Sequence, residues 1–138
     1  MTIKKIIFAS AIILFGIQSV YAQMHISTFL RKDAVFNEKT MGYDIKNEDK
    51  EELTFFEFNK ELTMFKHTTP TLTSAYTVKS SKVDKENELW ELDIVSDIGN
   101  SYLMILDLKK NNIRFIYIKN GYPPHLIQYS IKKLWFDD

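Results

Sequence analysis

Residues 89–118 read Leu89-Trp-Glu-Leu-Asp-Ile-Val95, Ser96-Asp-Ile-Gly-Asn100, Ser101-Tyr-Leu-Met-Ile-Leu-Asp-Leu108, Lys109-Lys-Asn-Asn112 and Ile113-Arg-Phe-Ile-Tyr-Ile118. These are three strand-like runs joined by two tight-turn signals. Asp97-Ile98-Gly99 fits a three-residue hairpin loop, with Gly99 in the left-handed position that its missing Cβ permits. That register sets Ile94 opposite Tyr102, Leu92 opposite Met104 and Trp90 opposite Leu106. Around Lys109–Asn112 a two-residue or a four-residue loop gives the same facing: Met104, Leu106 and Leu108 share a side with Ile113, Phe115 and Tyr117. Side chains alternate along a strand, so one surface collects all of these residues and carries no charge. That surface is a core face.

The opposite face carries Glu91, Asp93, Asp107 and Arg114, which belong in water, and also Leu103, Ile105, Ile116 and Ile118. An apolar cluster on an outer face reads either as a seat for another segment of the same chain or as an interaction patch for a partner. Intramolecular cover is the preferred expectation.

Outward from this meander, the first 22 residues read as a secretory signal peptide. Lys4 and Lys5 form a basic start, Ile6 to Ile17 an apolar run, and Val20-Tyr21-Ala22 a cleavage-like end ahead of Gln23. The run is too short for the roughly 20 apolar residues of a spanning helix, so no stable membrane span is expected after cleavage. The expectation is an exported protein, periplasmic or extracellular. The absence of cysteine points to a bacterial source and excludes a lipid-anchored lipoprotein after the cut. Residues 23–138 then form a single β domain, of a length that buries roughly two thirds of its unfolded surface. Lys+Arg and Asp+Glu each number 18, and losing Lys4 and Lys5 leaves the remainder slightly acidic. No basic stripe is present, so nucleic acid is not an expected partner.

Along that domain, His25 to Arg31 is a first strand, with continuation to Phe36 open. Asn37-Glu38-Lys39 is a turn, Thr40 to Ile45 a short strand, and Lys46 to Glu52 a charged, solvated loop. Leu53–Phe58 and Leu62–His67 form a hairpin around Asn59-Lys60, and a three-residue loop would place Phe56, Phe58, Leu62 and Met64 on the core side. Leu72–Ser81 is a longer strand with Ser74, Tyr76 and Val78 on one face. The last segment, after Pro123-Pro124, fits two patterns. Leu126, Ile127, Ile131, Leu134 and Trp135 recur at helical spacing, and a helix would be a natural lid for Leu103 and Ile105. The β-branched and aromatic content favours a strand instead, with Ile127, Tyr129, Ile131 and Trp135 on one face, able to close a barrel against the first strand.

The fold these elements specify is all-β: an antiparallel up-and-down meander of about 8–9 strands closing into a small barrel, lipocalin-like in architecture only. A two-sheet sandwich is the alternative. No lipocalin signature motif occurs.

Chemistry is sparse. His25, His67 and His125 lie far apart with no zinc-like spacing, and read as ordinary strand-end residues. Neither a nucleophile elbow nor a glycine-rich phosphate loop occurs, and the paired carboxylates Glu57/Glu61 and Glu91/Asp93 read as solvated. No cofactor, metal site or catalytic set is expected, and the protein is not read as an enzyme. What remains is the aromatic group Trp90, Tyr102, Phe115 and Tyr117, which either fills a core or lines a pocket for a small apolar ligand. The competing expectation is a protein-interaction module, an inhibitor or accessory subunit at the cell envelope, that uses Leu103, Ile105, Ile116 and Ile118.

Overall fold

The computed structural model describes residues 23–49 and 53–137. The expected signal segment lies outside them. The described residues form nine antiparallel strands and no helix: β1 (Gln23–Asn37), β2 (Gly42–Asp49), β3 (Thr54–Phe58), β4 (Met64–Thr68), β5 (Thr73–Asp84), β6 (Leu89–Ser96), β7 (Ser101–Asp107), β8 (Asn112–Tyr117) and β9 (His125–Asp137). Eight of them close a barrel, and β2 is the additional strand.

The central meander takes the expected register. Trp90 faces Leu106, Leu92 faces Met104 and Ile94 faces Tyr102. Leu106 faces Ile113 and Met104 faces Phe115. Ser96 N–H donates to the Asn100 carbonyl at 2.8 Å, which leaves residues 97–99 as the loop, and Gly99 sits at φ +89. The second turn closes with four residues between Asp107 and Asn112, and Asn111 takes the left-handed conformation at φ 63, which Asn tolerates better than most residues.

Closure comes from the two longest strands. β9 runs antiparallel to β1 from Gln23↔Asp137 to Val35↔His125 and pairs with β8 on its other side. A helix here would have left one edge of β1 and one of β8 unpaired, an exposed row of amide and carbonyl groups that a closed sheet avoids. The strand reading therefore wins over the helical one. Tail residues do not cross over the outer face at Leu103 and Ile105, so the expected intramolecular cover from this segment is absent.

β1 is long enough to serve two partners on its other edge. Its first half pairs with β3 through His25↔Glu57 and Thr28↔Thr54, and its second half with β2 through Arg31↔Asp49 and Asn37↔Gly42. The charged segment expected to be a loop from Lys46 is thus strand as far as Asp49. Its alternation is interrupted because Lys46 is an extra residue between Asn47↔Asp33 and Ile45↔Ala34. Bulges and charges of this kind protect the outermost strand of a sheet from pairing with a second chain.

Three further corrections have physical causes. The hairpin at Asn59 is wider than expected, with Phe58 opposite Phe65. The Asn59 carboxamide oxygen accepts the backbone N–H of Thr63 at 2.8 Å and of Met64 at 3.1 Å, and Leu62 takes φ 60. Phe65 and His67 consequently point inward, and Met64 outward. In β9, Lys132 is an extra residue between Ile131↔Thr28 and Lys133↔Ser27. Ile127, Tyr129 and Ile131 share the inner face as expected, but the inserted residue turns Trp135 outward and leaves Leu134 and Phe136 packed against the core. In β1, Phe29 is extra between Thr28↔Ile131 and Leu30↔Ser130. Its ring is exposed, and the strand's alternation shifts by one. A bulge re-aims every side chain beyond it.

The interior is filled along most of its length. Ile26, Phe56, Phe58, Trp90, Leu92, Met104, Leu106 and Ile113 are all fully shielded from solvent.

Candidate functional site

Because of the Phe29 bulge, Arg31, Asp33 and Val35 follow Thr28 on the inner side of β1, opposite Tyr129, Ile127 and His125. Without it, Leu30, Lys32 and Ala34 would have occupied those positions. This end of the barrel is open. A pocket of about 450 Å³ lies there, lined by Asp33, Ala34, Val35, Lys46, Tyr102, Tyr117, His125, Leu126 and Ile127. Its volume falls within the usual span for small-molecule sites. A wider groove runs beside it over the β1–β2 turn and residues 121–124, with Asn37, Glu38, Lys39 and Asp44 on its rim. The smaller pocket is the better candidate because aromatic and aliphatic side chains make up most of its wall.

Of the four aromatic residues singled out from sequence, two line this pocket and two lie beneath it. Tyr102 and Tyr117 stand with ring centroids 5.3 Å apart. Phe115 is buried under them, edge-on to Tyr102 at 5.8 Å and to Tyr129 at 6.1 Å. Trp90 is deeper still. It is four residues along β6 from Ile94, the partner of Tyr102, and so about 13 Å further from the mouth.

Below the rim sits a polar group that the sequence reading did not single out. Arg31 donates from Nε to Asp33 Oδ1 at 3.1 Å and from Nη2 to the same oxygen at 3.0 Å, and its guanidinium lies 5.9 Å from the centroid of the Tyr129 ring. His67 approaches that ring edge-on, at 5.1 Å, and stacks on Phe56 at 4.0 Å. It is 7% exposed, and its Nε2 is buried without a hydrogen-bond partner. Burial, reinforced by the positive charge of Arg31, lowers the His67 pKa to about 4. The imidazole is therefore neutral at physiological pH. Tyr76, edge-on to Tyr102 at 6.2 Å, has its pKa raised to about 12, chiefly by burial.

The other two histidines lie elsewhere. His25 is on the outer wall at the β1–β9 seam, where its Nε2–H donates to Asp137 Oδ2 at 2.6 Å and its ring stacks on Trp135. His125 begins β9 at the pocket rim. Among the described residues, no group of three or more His, Cys, Asp or Glu side chains is placed to hold a metal ion. No described helix is long and apolar enough to cross a membrane.

The outer cluster forms part of a longer row. Leu103 faces Ile116, Ile116 faces Leu126, Leu126 faces Ala34 and Ala34 faces Ile45. An apolar stripe thus crosses five strands. Ile105 and Ile118 flank it, two residues along from Leu103 and Ile116, and Ile118 is 72% exposed.

No protein-family model matches this chain, and no curated protein or solved structure matches it.

Proposed function

We propose that this protein is an exported, non-enzymatic binding barrel that takes a small apolar molecule into its open end, a role comparable in architecture to that of lipocalin-like carriers. The observation that carries the reading is the contrast between a packed interior and an end pocket walled by Tyr102, Tyr117, Val35 and Ile127. A closed barrel presents its mouth as its natural concavity, and two tyrosines there combine apolar area with a polar edge. The proposed place of action, the periplasm or the exterior of a bacterial cell, comes from the leader-like residues 1–22.

Nile red, which brightens in apolar surroundings, tests the reading. It should bind at micromolar concentration, and Val35→Trp, which places a large ring in the mouth, should weaken binding at least tenfold with melting temperature within a few degrees of the parent. Unchanged emission on mixing, or undiminished binding to the variant, would remove the basis for a mouth pocket.

The outer stripe supports a second reading, a protein partner at the cell envelope, because β9 lies beside β8 in the sheet and leaves Leu103, Ile105, Ile116 and Ile118 uncovered by the tail. Ile116→Lys should abolish capture of that partner from envelope extract in a pull-down and leave Nile red binding intact. Equal capture by parent and variant would count against this second reading.

A further inference from the structure

The two ends of the barrel carry opposite chemistry in their connections. In an up-and-down sheet, alternate connections lie at the same end. β2 and β3 run down the same edge of β1, so they count as one strand in this alternation. Residues 38–41, 69–72, 97–100 and 118–124 therefore ring the mouth, and residues 59–63, 85–88 and 108–111 lie at the other end. Each mouth connection presents a large apolar side chain to solvent: Met41, Leu72, Ile98, and Ile118 with Tyr122. Their exposures run from 61% for Tyr122 to 81% for Ile98. Among the described residues, no other large hydrophobic side chain is exposed beyond 58%. The far connections instead expose Lys60, Glu61, Lys85, Glu86, Lys109 and Lys110, while their leucines, Leu62 and Leu108, pack on the core.

Singly exposed apolar residues are ordinary on a protein surface. Here one projects from each of four separate turns, and all four turns share an end. Turn chemistry does not ask for them: Met41 takes φ 57, a left-handed conformation for which Gly or Asn is the usual choice. Each turn is fixed by its own hydrogen bonds. The Lys39 N–H donates to Asn37 Oδ1 at 2.9 Å. Thr69 N–H donates to the Leu72 carbonyl at 2.8 Å, Gly99 N–H to that of Ser96 at 2.9 Å, and Tyr122 N–H to that of Lys119 at 3.1 Å.

We propose that the mouth end docks on the surface of a lipid bilayer, with Met41, Leu72, Ile98 and Tyr122 entering its interfacial layer. The four tips stand on different turns, among polar neighbours such as Thr71, Asn100 and Asn120. A protein partner would need a matched recess for each tip, whereas a fluid bilayer takes each one independently. Lys119 Nζ lies 5.4 Å from the centroid of the Tyr122 ring, a ring and a long-stemmed cation suited to headgroup depth. The charges in these connections, Glu38, Lys39, Asp97 and Lys119, cancel, so attachment is apolar and not an attraction to anionic lipid. Exposed Glu91 and Asp93 on the outer wall confine the contact to the rim. This docking goes beyond the pocket reading and does not depend on it.

Co-sedimentation with vesicles of phosphatidylcholine, and of an equal mixture with phosphatidylglycerol, provides the test. The protein should bind both to within about twofold, and high salt should not release it. Ile98→Ser combined with Tyr122→Ser should weaken binding at least tenfold at an unchanged melting temperature, since both side chains are exposed. Val35→Trp, which blocks the pocket, should bind vesicles as the parent does, so failure of the pocket reading leaves this one standing. The chain has no cysteine, so a single introduced thiol reports orientation. Acrylodan on Ile98→Cys should shift to shorter wavelength when vesicles are added, and on Glu86→Cys it should not. No binding to either vesicle, binding to the anionic vesicles alone with release by salt, or equal shifts at both labels would overturn docking by the mouth. So would self-association without vesicle binding that the double substitution removes, which would assign the rim to a second copy of the chain.

Discussion

Trp90→Ala should lower the stability of the protein by about 3–5 kcal/mol, the usual cost of deleting a large aromatic side chain from a packed core. The indole is fully buried, opposite Leu106 on β7 and Val83 on β5. Those neighbours belong to separate strands of a closed sheet, so they cannot collapse into the space without distorting hydrogen-bonded ladders on both sides. Since domains of this size are stable by roughly 5–15 kcal/mol, the loss is a large share of the total. A melting-temperature decrease of more than about 10 °C is expected. Nile red affinity, measured where the variant remains folded, should change less than twofold, because the mouth residues are untouched. A stable variant with weakened probe binding would instead make Trp90 a ligand contact.

This division between core and mouth is where sequence and structure part company. The three-run stretch around Trp90 was legible because its alternation is unbroken and its turns are marked by Gly99 and Asn111. The inward set, the register and the barrel all followed from it. Strand character at the C-terminus was legible too, from the crowding of Ile127, Tyr129, Ile131 and Trp135. The polar group beneath the rim was not. Arg31 and Asp33 point inward only because Phe29 is an extra residue in β1, and one inserted residue reverses the facing of everything beyond it. The available signal was slight: Phe29-Leu30 places two large apolar residues in succession where alternation calls for one. His67 was missed for a related reason. Its facing depends on the length of the loop before it, which is set by side-chain hydrogen bonds from Asn59. Assigning Met64 to the core sent His67 to the surface side with no tertiary contact to correct it. Period-two patterns thus determine which strands form, while bulges and loop lengths determine which polar residues those strands deliver to the interior.

Acidification should weaken the fold through His67, and the sign follows from where its proton binds first. In the unfolded chain the imidazole titrates at its ordinary 6.5, whereas in the barrel its pKa is about 4. Between these values the unfolded state carries the extra proton, so stability is fully present above pH 6.5 and is lost as pH falls toward 4. The loss should reach about 2 kcal/mol between pH 8 and pH 5, and roughly 3 kcal/mol once both states are protonated. The groups facing the ring account for this. Burial against Phe56 and Tyr129 is the larger cause, and repulsion by the Arg31 charge adds to it. Arg31 is itself paired with Asp33, which keeps the guanidinium in place. Urea midpoints measured from pH 8 to pH 5 for the parent and for His67→Phe provide the check. Phe keeps a flat ring against Phe56 and has no proton to bind, so its stability should be flatter with pH by about 2 kcal/mol over that range. Carboxylate titration is common to both proteins and cancels in the difference. Parallel pH profiles would mean that the imidazole is protonated as readily inside the barrel as outside it, and His67 would then exchange with solvent and not be sealed in the interior.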